Sequence, residues 1–194
     1  MKNWIEEDFM NHNQWYHATP KRYCESVLKH IIADINKDVE LDFGFGFYLC
    51  PNFEWAKKYA KGIEESGEEE ACIIEYHFTP KELLDGDKNY RFFNELNTEF
   101  ADFVFANRMF FEDYPTNCTH NYLLVGGVMS DGEQPVDFEK YRLSLMSKEE
   151  LYHRICLPKE DWQIVIHSQE LCDKLKPYYV YDLKGGVRDV YNGD

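Results

Sequence analysis

The order in which strand-like and helix-like segments follow one another constrains this chain most. Cys72 to Phe78 alternates, with Cys72, Ile74, Tyr76 and Phe78 facing one way and Glu75 and His77 the other. That is the pattern of a half-buried strand. Further strands are expected at Asn13–His17, Phe45–Cys50, Tyr122–Met129, Trp162–His167 and, last, Tyr178–Leu183. Helical signals fall irregularly between them. Thr19 offers an N-cap with Pro20 at the first helical position, followed by Tyr23, Val27, Ile31 and Ile35 on one face. Asn52 caps a second helix striped by Trp55, Tyr59 and Ile63, and Thr98 a third carrying Phe100, Phe103, Val104 and Phe110. Ser147-Lys148-Glu149-Glu150 is a capping box, and Ser168–Leu175 reads as a short helix. Strands and helices mix without regular β-α-β alternation, which favours α+β over a doubly wound sheet. At 194 residues, with no repeat and no linker, a single domain over 1–194 is expected.

Charge narrows the partners. The chain has 21 basic and 36 acidic residues, a net charge of -15. Neither nonspecific nucleic-acid binding nor a polybasic membrane patch suits that balance, because both need clustered Lys and Arg against phosphate. No apolar run is long enough to span a bilayer. The first eight residues have no apolar core of a signal peptide, and the six cysteines include no C-x-x-C pair. Reduced thiols and a cytoplasmic location are expected.

Familiar chemical motifs are missing. Gly44-Phe45-Gly46 precedes a strand and has no third glycine, so it is not a dinucleotide fingerprint. Asp42-Phe43-Gly44 spells a kinase triplet without the glycine-rich loop, lysine strand and catalytic loop that belong with it. The seven histidines form no metal-ligating spacing, and there is no G-x-S-x-G elbow.

Three segments stand out together: Trp15-Tyr16-His17-Ala18-Thr19, then Asp42-Phe43-Gly44-Phe45-Gly46-Phe47-Tyr48-Leu49, then Asp161-Trp162-Gln163-Ile164-Val165-Ile166-His167-Ser168. Taken singly, each of His17, Tyr48 and Gln163 has a purely structural reading. In this order they resemble the ADP-ribosyltransferase superfamily, as a small bacterial family with a His–Tyr–Gln variant of the His–Tyr–Glu pattern. The resemblance runs from about His17 to Leu175. It implies a split sandwich of two mixed sheets with flanking helices, NAD+ as substrate, and transfer of ADP-ribose to a macromolecular acceptor (a protein rather than a nucleic acid) or hydrolysis of NAD+. It also implies a toxin-like or regulatory role, with a partner or antitoxin protein.

Residue by residue, the resemblance gives His17 a hydrogen bond to the adenosine-side ribose. The backbone of Ala18 would hold the nicotinamide carboxamide, with Thr19 adding a polar contact and Gly46 belonging to the cofactor loop. Tyr48 would stack on the nicotinamide. Gln163 would bond the nicotinamide-side ribose, with the loop Leu157–Asp161 toward the acceptor. Arg108 has two readings, a pyrophosphate contact or an ion pair with one of the many acids, and the pair is favoured. Two positions depart from the superfamily: Ala18 where many members have Gly, and Gln163, whose neutral amide stabilises a developing positive centre poorly. Asp161, two residues earlier on the same strand face, would supply the missing charge. The alternatives are a non-catalytic NAD+- or ADP-ribose-binding module and a plain protein-interaction domain.

Overall fold

The computed structural model describes residues 4–37, 39–67, 69–95, 97–108, 119–129, 134–155 and 162–190. Helix α1 (Trp4–Asn11) leads into strand β1 (Gln14–Pro20) and α2 (Lys21–Lys29). A long connection reaches β2 (Phe47–Leu49), followed by α3 (Phe53–Gly67), β3 (Ala71–His77), α4 (Pro80–Leu84) and β4 (Tyr90–Phe93). Then come α5 (Thr98–Arg108), β5 (Leu124–Val128), α6 (Gln134–Arg142), α7 (Lys148–Ile155) and β6 (Trp162–Ile166). The chain closes with α8 (Gln169–Cys172), β7 (Pro177–Asp182) and β8 (Val187–Asp189). The class is α+β, as the irregular order predicts.

Two four-stranded sheets form, ordered β1-β3-β7-β8 and β2-β6-β5-β4. Only the second is mixed, which corrects the expectation of two mixed sheets: β4 and β5 are parallel, and every pair in the first sheet is antiparallel. The crossover through α5 makes the parallel pair possible, since parallel neighbours need a long connection. The sheets meet edge to edge where β1 approaches β2. Tyr16 N–H donates to Cys50 O at 2.8 Å and Cys50 N–H to Tyr16 O at 3.0 Å.

Beyond that seam the sheets enclose a shared core. Trp15, His17 and Thr19 stand opposite Tyr76, Ile74 and Cys72 in register. This face of the first sheet meets Phe47 and Trp162 of the second: the Phe47 and Tyr76 rings are 5.7 Å apart and the Trp15 and Trp162 rings 5.8 Å. Its other face takes α3 through Tyr16, Ile73, Ala56 and Ala60. β3 is therefore covered on both sides, and Glu75 is only 1% exposed, where alternation predicts a half-buried strand.

Several helix boundaries also differ from expectation. Thr19 does not cap α2. It lies in β1 opposite Cys72, and pairing continues to Pro20 opposite Ala71. Helix α2 stops at Lys29, so Ile31 is buried outside it and Ile35 is exposed, and the helix docks through Cys24. In α3 the buried positions are Ala56 and Ala60 while Tyr59 is exposed. The Asn97 side chain, not Thr98, accepts the Phe100 N–H at the start of α5. β7 is followed by the short β8, so it is not the last strand. Phe110 lies outside the described residues.

Candidate functional site

The loop 42–46 is fixed from several sides. Phe43 is fully buried, 6.2 Å from the rings of both Phe93 and Phe100, and anchors the loop in the core. Asn36 grips Gly46 twice: its Nδ2 donates to Gly46 O and its Oδ1 accepts from Gly46 N, both at 2.9 Å. The loop runs flush against β6. A Cβ on Gly46 would stand 2.3 Å from Val165 Cγ1, far inside van der Waals contact, so only glycine fits. Tyr48 folds back onto the same loop. Its hydroxyl donates to Gly44 O at 2.7 Å and accepts from Phe43 N–H at 3.2 Å.

Two histidines far away in sequence complete the clamp. His120 Nε2 donates to Phe43 O at 3.1 Å while its Nδ1 accepts from Tyr122 N–H, which fixes the tautomer. His167 Nδ1 donates to Phe45 O at 2.5 Å. The two rings pack edge to face at 4.6 Å. Burial, together with the neighbouring His120, pushes the His167 imidazole down to about 3. His120 is lowered as well, by burial. Neither histidine, nor Asn36, carries a local spacing signal, so sequence reasoning misses all three.

His17 lies on β1 with its ring on Phe47, centroids 4.4 Å apart. Its Nδ1 donates to Tyr48 O at 2.9 Å, so in the neutral ring the Nε2 lone pair is the acceptor. Burial holds this imidazole down at about 4, against a partial opposing effect of the Tyr48 carbonyl. It is neutral at pH 7. Ala18 follows on the edge of the sheet. In an antiparallel pair, alternate residues direct their backbone groups to opposite sides of the strand. Tyr16 directs both of its groups away from β3, toward Cys50. Two residues on, Ala18 N–H and C=O point off the same edge. Thr19 is buried on the His17 face.

Gln163 is buried on β6 opposite Gly127, on the face it shares with Val165. Val165 stands opposite Tyr48, so Tyr48 and Gln163 share a face of the second sheet. Phe47, whose ring meets His17, is on the reverse face. The structure thus brings His17 to the Tyr48 backbone, and Tyr48 and Gln163 to one sheet face, but does not gather the three side chains on a single face. Arg108 takes the structural reading, with its Nε on Asp42 Oδ1 at 2.5 Å and the Asp42 carboxylate buried. Asp161 and the loop Leu157–Asp161 lie outside the described residues.

A cleft of about 380 Å³ opens at the end of the seam, lined by Asp8, His12, Tyr16, Phe53, Trp55 and Trp162 among others. Tyr16 and Trp162 immediately precede His17 and Gln163. The cleft adjoins the candidate residues without being walled by them. Among the described residues there is no cluster of three or more metal-ligating side chains and no helix long and apolar enough to cross a membrane.

Comparison with curated proteins and with solved structures gives no match to either. A family model does match, over residues 16–177, from the β1 edge to the start of β7. The match spans β1, β2 and β6 and the loop clamp between them, and by it the chain belongs to the family described as protein of unknown function (DUF3990).

Proposed function

We propose that this domain binds NAD+ in the manner of the ADP-ribosyltransferases, cleaves its nicotinamide–ribose bond, and passes ADP-ribose to a protein acceptor or to water. The observation that carries this reading is the β1 edge. Ala18 directs one N–H and one C=O off the strand beside the seam, which is the complement of a carboxamide. His17, next to it, is neutral and holds Nε2 as an acceptor for a ribose hydroxyl. The loop behind Tyr48 is clamped at Gly44 and Gly46, as a preorganised binding wall requires. The two-sheet α+β fold is compatible with the split sandwich that the resemblance implies.

Two observations favour a second reading, a binding module without turnover. Gln163 is neutral where an oxocarbenium-like centre calls for a carboxylate. The Tyr48 hydroxyl is already engaged with Gly44, which leaves its ring face and not its oxygen for a ligand.

The test is nicotinamide release from NAD+ by the purified chain, with NAD+-dependent melting measured in parallel. Transfer or hydrolysis predicts release that falls about 100-fold in His17→Ala, which loses the ribose positioning. The binding module predicts no release, a higher melting temperature with NAD+, and a gain of release in Gln163→Glu. Neither release nor a melting shift in the folded wild-type chain rejects NAD+ as its ligand.

A further inference from the structure

The cleft at the end of the seam carries a chemistry of its own, separate from His17, Tyr48 and Gln163. Asp8 and His12 enter it from the last turn of α1. His12 N–H donates to Asp8 O at 2.9 Å, which keeps the helical spacing that sets two side chains on one face. His12 Nε2 donates to Gln14 O at 2.7 Å, so in the neutral ring Nδ1 is an acceptor. The ring packs edge to face against Trp15 and Trp162, with centroids 4.9 and 5.8 Å away. Asp8 is exposed, and among the described residues no hydrogen bond or ion pair engages its carboxylate.

The remaining wall is aromatic. Tyr16 and Phe53 meet edge to face at 5.4 Å, and Trp55 and Trp162 line the cleft with them. Lys58 Nζ lies 4.7 Å over the Trp55 ring, so one of these rings already holds a cation. Among the described residues that line the cleft, none is Lys or Arg. A carboxylate, an imidazole acceptor and π faces call for a ligand that is positively charged, rich in N–H donors and flat. A guanidinium has all three properties. An ammonium is compact and strongly hydrated, and has no plane to lay on a ring. The volume of about 380 Å³ is in the range of pockets that enclose a small group. The source of the guanidinium follows from charge. With a net charge of -15 the chain attracts basic macromolecules from a distance, whereas free arginine brings a carboxylate of its own to Asp8.

We propose that this cleft binds an arginine side chain of a protein partner. The guanidinium donates to Asp8 and to His12 Nδ1, and its plane lies on the aromatic wall. The contact needs no NAD+, so it goes beyond the nucleotide reading and stands or falls apart from it. Tyr16 immediately precedes His17, so a protein anchored here is held beside the β1 edge.

The probe is the capped peptide acetyl-Gly-Arg-Gly-amide, titrated without NAD+ into the isotope-labelled full chain while the indole N–H signals are followed by NMR. The Trp55 and Trp162 signals, assigned with Trp55→Phe and Trp162→Phe, should shift and saturate. The Trp15 signal should move far less, because that indole is fully buried and donates to Phe78 O at 3.0 Å. The citrulline peptide, a neutral isostere, and the lysine peptide should each bind at least about 10-fold more weakly. Asp8→Asn should lose the same factor. Glu7→Gln, an equal charge change at an exposed residue of α1 outside the lining, should bind as the wild type does. Indole signals that stay in place at millimolar peptide, in a chain folded by circular dichroism, would overturn the proposal. So would citrulline or lysine peptide binding as tightly as the arginine peptide, free arginine binding more tightly than the peptide, or unchanged affinity in Asp8→Asn.

Discussion

At the scale of single residues, the histidines set how this protein responds to acid. His17 is held at about 4 and His167 at about 3 in the fold, chiefly by burial, and His120 is lowered too. In the unfolded chain each imidazole returns to about 6.5. The unfolded state therefore takes up protons first as pH falls. Stability is full above about pH 6.5 and declines toward pH 4, on the order of 1 kcal/mol per pH unit for each histidine that stays neutral in the fold. Carboxylates act lower. Glu75 is net lowered: its hydrogen bonds from Tyr181, Gln14 and His77 outweigh burial, and its contribution is lost only below the ordinary carboxylate range. The interval from pH 6.5 to 5 thus belongs to the histidines. Denaturant midpoints should fall steadily across it, and His167→Asn should make the fall shallower. A flat midpoint from pH 7 to 5 would show that these rings are solvated in the native state.

Among the elements, β3 carries the largest local commitment. Glu75 accepts from Gln14 Nε2 at 2.7 Å, His77 Nε2 at 2.5 Å and the Tyr181 hydroxyl. Glu75→Ala removes three hydrogen bonds to a buried carboxylate and should cost about 3 kcal/mol in urea denaturation. Tyr181→Phe removes one bond and should cost about 1 kcal/mol. Equal losses would mean that the carboxylate is not the centre of the network. Alternation alone hides this, because it reads Glu75 as solvent-facing, and nothing within a strand says that a helix will cover its second face. Local chemistry is legible where it closes on itself. Ser147 and Glu150 exchange both capping-box bonds, at 2.7 and 3.1 Å, and Asn52 accepts the Trp55 N–H. Thr19 and Pro20 mislead because their helix-start signal competes with strand pairing, which an edge position lets proline continue. β8 escapes notice because Val187-Arg188-Asp189 is short, exposed and polar, as edge strands often are. The same limit governs the site. The order His17, Tyr48, Gln163 is written in the sequence. The grip of Asn36, His120 and His167 on one loop comes from segments that only the fold brings together.

For the whole molecule, the question is whether two sheets make one cooperative unit. Among the described residues the strand seam between them is one bridge, Tyr16 to Cys50, which is too little to couple them by backbone bonding alone. Side chains do more. Phe9 on α1 is fully buried where the sheets converge, with its ring 6.2 Å from Trp15 of the first sheet and 4.8 and 3.5 Å from Phe92 and Trp162 of the second. One core cluster contains residues of both sheets, from Trp15 and Tyr76 to Ile164 and Leu124. Unfolding either sheet exposes the inner face of the other, so both should melt together. Tryptophan fluorescence and far-UV circular dichroism should give one denaturant midpoint in the wild type. Phe9→Ala should lower the unfolding free energy by about 3–5 kcal/mol, moving the midpoint of both probes equally. Should fluorescence shift while the circular dichroism transition stays in place or splits, α1 would be an appendage of one sheet. The seam at His17 and Tyr48 would then be a boundary between two separately folding units, and a ligand bound across it would be expected to fuse the two transitions into one.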